Sequence, residues 1–179
     1  RLPETPIHLV SGIADGMDRM AARVALRRQI PVTALLPMPI REYVADFSPD
    51  SLTDFYDLLA QPGVEQVELP LLPEMRNAQG RLDPQARAAL YRRLGECLAR
   101  KSNIIVAFWD GHNTGRAGGT AEVLLRFLHS LPEPDMPQRP IEFLDDSPPY
   151  ASGPDFVCWV PIRRTGTSHG AAYSPQQHY

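Results

Sequence analysis

What most constrains this chain is an alternation of short apolar runs with segments of helical period. Ile7-His8-Leu9-Val10 is an apolar run that breaks into Ser11-Gly12, the pattern of a buried strand ending in a loop. Met17, Met20, Ala21, Val24 and Ala25 then recur at i, i+3, i+4, i+7 and i+8, which predicts a helix over 14–28 with that face inward. Pro31 stops it, and Val32-Thr33-Ala34-Leu35-Leu36 follows as a second buried strand, itself stopped by Pro37 and Pro39. Strand, crossover helix and strand make a βαβ unit, and two strands so joined run parallel.

The alternation continues. Residues 38–49 read as irregular. Leu52, Phe55, Tyr56 and Leu59 share a face, which predicts a helix over 51–60 capped by Ser51. Residues 64–69 alternate apolar and polar, as a half-exposed edge strand does, and 70–80 read as a loop. Asp83-Pro84 is a strong helix start, with Asp at the cap and Pro at the first position. The helix runs to about Lys101 and buries Leu90, Leu94, Cys97 and Leu98. Ile104-Ile105-Val106-Ala107-Phe108-Trp109 reads as a central strand. Residues 120–129 form a helix with Ala121, Leu124, Leu125 and Leu128 inward, and 156–160 form a last strand. Strands alternating with helices predict an α/β fold with a mainly parallel sheet.

Composition sets the outer limits. The 179 residues suit one domain, residues 1–162. Of 19 prolines, eight lie between Pro132 and Pro161, so 131–155 reads as a Pro-rich connector to the last strand. Residues 163–179 lack periodicity and read as a tail or linker, and a start at Arg1 reads as part of a longer chain. The net charge of −3 weighs against a nucleic-acid partner. No apolar run is long enough for a transmembrane segment. Cys97 and Cys158 lack metal-ligand spacing, so no metal site is expected, and their use fits a reducing cytoplasm. No cofactor is implied.

In open α/β sheets, ligands bind beyond the carboxyl ends of strands. Two such ends carry glycine-rich, polar sequence: Ser11-Gly12-Ile13-Ala14-Asp15-Gly16-Met17-Asp18-Arg19, and Asp110-Gly111 through Arg116 to Gly118-Gly119-Thr120-Ala121-Glu122. Glycine lets the backbone approach a ligand, and the first amides of a helix attract an anion, typically phosphate. Thr120 is placed to cap its helix or to donate to a ligand. Each residue also has a plainer reading. Asp18-Arg19 reads equally as a surface pair, Glu122 as a carboxylate favoured by the helix dipole, and Arg163-Arg164 as a linker flank. Trp109 and Cys97 read as core, Met17 and Met20 as core-facing, and His112 as solvated.

Taken in order, three segments resemble the SLOG superfamily, the Rossmann-like group that includes the DprA/Smf and LOG proteins. They are Val10 through Arg19, which is similar to that group's SGxAxGxDR segment; Ala34-Leu35-Leu36-Pro37-Met38-Pro39; and the strand to Trp109-Asp110-Gly111 followed by Gly118-Gly119-Thr120-Ala121-Glu122, similar to its GGTxE turn. The resemblance implies a three-layer Rossmann-like fold. It also implies a ligand pocket at Ser11, Gly12, Asp15, Gly16, Asp18, Arg19, Pro37, Asp110, Gly111, Arg116, Gly118, Gly119, Thr120 and Glu122. The function implied is that of a bacterial nucleotide-sensing domain, in a homo-oligomer, that reports to a fused or associated effector. A LOG-type phosphoribohydrolase with Glu122 as acid/base is the alternative, and a DprA-like single-strand DNA binder the third reading. Ala117 stands where the LOG signature has proline, Thr120 and Glu122 are closer together than in that signature, and the family's usual opening strand and loop are missing.

Overall fold

A computed structural model of the chain describes residues 6–72, 75–77, 80–113, 115, 118–129 and 156–162. The elements are β1 (Leu9–Ser11), α1 (Met17–Arg27), β2 (Val32–Leu36), α2 (Ile40–Tyr43), a 3-10 turn (Val44–Asp46), α3 (Pro49–Leu59), β3 (Val64–Glu68), α4 (Pro84–Lys101), β4 (Ile104–Trp109), α5 (Thr120–His129) and β5 (Phe156–Pro161). The segments 131–155 and 163–179 read above as connector and tail lie outside the described residues, as do Arg163 and Arg164.

The paired strands run parallel, as strands joined through helices must. β1 pairs with β2 (Leu9 opposite Val32) and β2 with β3 (Val32 opposite Val64), giving the order β1-β2-β3. β4 pairs with β5, Ile104 opposite Phe156. Among the described residues these are two small sheets rather than one. β2 is buried along its whole length, and its side chains alternate between the faces. Val32, Ala34 and Leu36 pack with Ala22 and Ala25 of α1 and Phe55 and Leu58 of α3, whereas Leu35 meets Leu94 and Cys97 of α4. Helices thus cover both faces, which is why β2 is apolar but for Thr33, whose hydroxyl hydrogen-bonds His8 at 2.7 Å. The arrangement is that of an α/β fold compatible with a Rossmann-like one.

Helix starts follow local chemistry. In α4 the Asp83 carboxylate accepts from the amides of Gln85 and Ala86 at 2.9 and 3.3 Å, ahead of Pro84. In α3 the cap is Ser48, whose Oγ accepts from Ser51 N at 3.3 Å, so the helix begins at Pro49 and the expected cap, Ser51, lies buried inside it. The stretch over 38–49 is more regular than its sequence suggests, since it holds α2 and the 3-10 turn.

Two expectations are corrected. α1 begins at Met17, after Gly16 at φ 91°, and its face is rotated: Arg19, Ala22 and Ala25 are buried, while Met20 and Val24 are 55% and 44% exposed. The small Ala22 and Ala25 let the helix lie close against β2, and Arg19 finds enough acceptors inside to go in. Among the described residues β4 pairs with β5 alone, and Ile104 and Val106, two apart on one face, are 63% and 51% exposed where a central strand would bury them.

α4 and α5 pack through Gly95. A Cβ built there meets Val123 Cγ2 at 2.5 Å, and the stiff χ1 of a helical valine gives little way. Gly95→Ala, which in an open helix gains about 1 kcal/mol, is therefore expected to destabilise this protein by about 1–3 kcal/mol. The urea midpoint checks it. A raised midpoint contradicts the close α4–α5 contact.

Candidate functional site

The β1–α1 loop is shaped by its own side chains. Ser11 Oγ accepts from Ile13 N at 3.1 Å, and Ile13 takes φ 45°, a left-handed conformation that an L side chain rarely adopts. Asp18 reaches back to the loop, where its Oδ2 accepts from Ala14 N at 3.4 Å and Ser11 hydrogen-bonds its carboxylate. Desolvation nevertheless outweighs these bonds and the nearby Arg19 charge, and holds the Asp18 carboxyl above its ordinary value. Asp15 is exposed, and its Oδ1 accepts from Gly16 N at 3.1 Å.

Arg19 runs beneath the loop. Its Nε donates to Ile13 O at 3.1 Å, and Nη1 donates to Ser51 O and Oγ at 2.7 and 3.0 Å and to Asp54 at 3.3 Å. The guanidinium lies 4.6 Å from the Phe47 ring centroid and 5.4 Å from that of Phe55. The surface-pair reading does not describe it. Pro37, at the end of β2, is fully buried.

The second loop begins at Asp110, whose Oδ1 accepts from His112 N at 3.0 Å around an exposed Gly111. Trp109 and Trp159 are half-buried with ring centroids 5.7 Å apart, and their indole N–H groups donate to backbone carbonyls. Arg116 and Ala117 lie outside the described residues. At the start of α5, Glu122 is engaged on both oxygens: Oε2 accepts from Gly118 N at 2.6 Å and Oε1 from Arg92 Nε at 3.0 Å. This is a capping arrangement, in which a carboxylate in the first turn of α5 reaches back to the Gly118 amide just before the helix. Val123 N closes the first helical bond onto Gly119 O at 3.0 Å, and Thr120 is exposed.

The two loops, far apart in sequence, meet the same stretch of α4. A Cβ on Gly12 meets Leu94 Cδ2 at 2.9 Å, and one on Gly118 runs into the backbone of Tyr91, one helical turn away. Gly118 also has φ 68°, so both its space and its conformation call for glycine. Tyr43 completes the link: its hydroxyl donates to Gly12 O at 3.0 Å, and its ring centroid is 6.2 Å from that of Tyr91. Burial pushes the Tyr43 phenol up, so it stays a neutral donor. Tyr91 donates to Asp46, which also pairs with Arg87 at 2.7 Å, and Arg87 donates to Glu42 O at 2.9 Å. Sequence reasoning missed Tyr43, Asp46, Arg87 and Tyr91. The available signal was the Tyr43 and Phe47 pair in a stretch too apolar for a solvated loop.

Three expected residues, Asp15, Gly16 and Arg19, line a cleft of about 310 Å³ together with Met20, Arg23, Arg27 and Asp54. It lies along α1 and α3, and Gly118, Gly119 and Thr120 do not line it. Among the described residues no group of His, Cys, Asp and Glu side chains is placed to hold a metal ion, and no helix is long and apolar enough to cross a membrane.

These features define an α/β domain of parallel strands with two glycine turns at strand carboxyl ends, joined through one helix. No protein-family model, curated protein or solved structure matches this chain.

The raised Asp18 pKa has a direct consequence. The native state binds this proton more tightly than the unfolded chain, so the ionised carboxylate costs stability above its native pKa, a cost that disappears as the pH falls below the unfolded value. Asp18→Asn keeps an oxygen for Ala14 N and Ser11 and removes that cost. The variant is expected to melt above wild type at neutral pH, with the gap closing as the pH falls through the carboxylate range. A gap that does not change with pH contradicts the assignment.

Proposed function

We propose that this chain is a binding domain for a nucleotide-derived ligand, acting as the cytoplasmic sensor of a larger bacterial protein. The observation that carries the reading is the meeting of the Gly12 and Gly118 turns, each following the carboxyl end of a parallel strand, on adjacent turns of α4. Strand carboxyl ends in α/β folds are where loops and helix amides gather around phosphate-bearing ligands. The resemblance of the same segments to the SLOG superfamily supports the nucleotide.

In this reading the first amides of α5, at Gly119 and Thr120, take a phosphate. Arg92 pairs with Glu122 and offsets its charge, so an anion there does not face an uncompensated carboxylate. The same pairing weighs against hydrolysis. A general acid/base needs a carboxylate oxygen within reach of the substrate, and both oxygens of Glu122 are held by Gly118 and Arg92.

The test is a thermal-shift series with adenosine, AMP, GMP, ADP and ADP-ribose, on wild type and Gly119→Asp at one salt concentration. Asp at the cap of α5 favours the helix itself but puts a carboxylate where the phosphate goes. The wild-type melting temperature is expected to rise by a few degrees or more with at least one of the phosphate-bearing compounds and not with adenosine. The variant is expected to melt close to wild type alone and to lose the shift. No free base is expected from AMP or GMP by chromatography. A wild type unmoved by every nucleotide, or a variant that shifts equally, overturns the phosphate seat, and release of base restores the hydrolase.

A further inference from the structure

The outer face of α1 and α3 carries two stripes of opposite charge side by side. On α1, Arg23 and Arg27 at i and i+4 carry the basic stripe to the surface, continuing the row of the buried Arg19, and Asp50, Asp54 and Asp57 recur at i, i+4 and i+7 on α3. Among the described residues only Asp54 is used between the stripes: it pairs with Arg19 at 3.3 Å and with Arg23 at 2.5 Å. Arg19 beside Ser51 and Arg23 beside Asp54 fix the two helices as parallel neighbours, so that one turn further on Arg27 comes level with Asp57. There the pairing stops. Arg27 and Asp57 are exposed, and neither side chain makes a hydrogen bond or ion pair among the described residues; the same holds for Asp50. Between the stripes runs the cleft that Arg23, Arg27, Met20 and Asp54 line, and beside it Met20 and Val24 expose 55% and 44% of their surface.

We propose that this face is where a second copy of the chain docks, about a two-fold axis running along the seam between α1 and α3. The charge pattern selects the partner. An acidic partner would gain from the α1 stripe and be repelled by the α3 stripe, and a basic partner the reverse. A surface that satisfies both must carry the same two stripes in exchanged positions. A two-fold axis along the seam supplies it, because it lays α1 of each copy over α3 of the other, and a two-fold interface is self-complementary in this sense. Arg27 of each copy then lies opposite Asp57 of the other, where each finds the ion pair it lacks within its own chain. Met20 and Val24 of both copies are withdrawn from water at the centre, an apolar core inside a charged rim. This inference goes beyond the nucleotide reading and does not rest on it.

Sedimentation analysis of the full chain at low and high salt tests it, on wild type, Arg27→Glu, Asp57→Arg, the double variant and an equimolar mixture of the two single variants. Both side chains are exposed and make no ion pair among the described residues, so every variant is expected to fold with an unchanged melting temperature. Wild type is expected to dimerise, less tightly as salt rises. Each single reversal sets like charges together at both symmetric contacts and is expected to weaken the dimer about tenfold or more. The double variant restores self-association, and the mixture restores it as a heterodimer, because each single variant then carries the charges the other lacks. A monomeric wild type, single reversals without effect, or a mixture that fails to associate overturns the proposal. Association that survives high salt and both reversals belongs to another surface, and overturns it as well.

Discussion

Two glycines press on neighbouring turns of α4 with no room for a side chain, Gly12 against Leu94 and Gly118 against the backbone of Tyr91. Much of the candidate site follows from that contact. α4 is held from both sides, since Leu90 belongs to the core under α1 and α3 and Leu94 to the core on the opposite face of the first sheet. The loops that lean on it inherit its position. Tyr43 adds a hydrogen bond to Gly12 from one side, and Asp46, shared by Tyr91 and Arg87, ties the segment after β2 to the same helix. The turns after β1 and β4, which no strand pairing connects among the described residues, thereby rest on adjacent turns of one helix.

Arg19 is the second determinant, and it acts on α1. A guanidinium at 2% exposure is tolerated only where acceptors replace water, and here Ile13, Ser51 and Asp54 supply them while Phe47 and Phe55 cover its faces. One nitrogen, Nη2, is buried without a partner, so the site is not fully satisfied. Its bonds run to the loop before α1 and to α3 beside it, and so fix the rotation of the helix as well as its depth. With Arg19 turned in, Met20 and Val24 are turned out.

This explains which parts were legible in the sequence. The strands β1, β2 and β4 were, because short, mostly apolar runs broken off by proline, glycine or polar residues allow little else. So was α4, because Asp83-Pro84 is both a cap and a fixed first dihedral. The two glycine turns were placed correctly at strand ends. The face of α1 was misjudged because periodicity counts apolar residues and has no way to count the carbonyls waiting for Arg19. Burial on both faces was expected of β4 from its run of apolar residues, yet the run does not reveal what covers it. Glu122 carried two readings that one sequence leaves level, and its pairing with Arg92 across α4 and α5 is a contact the sequence does not show. Tyr43 and Tyr91 escaped notice because their role lies in a contact between segments far apart in the chain.

The central claim is that the Gly12 and Gly118 turns form one ligand site. Backbone amide resonances, followed by nuclear magnetic resonance while a nucleotide is titrated in, report on it directly. If the claim holds, amides between Gly12 and Gly16 and between Gly118 and Ala121 shift together and fit a single dissociation constant. Shifts confined to one turn, shifts at the two turns that fit different constants, or shifts centred on the α1–α3 cleft with both turns silent contradict it.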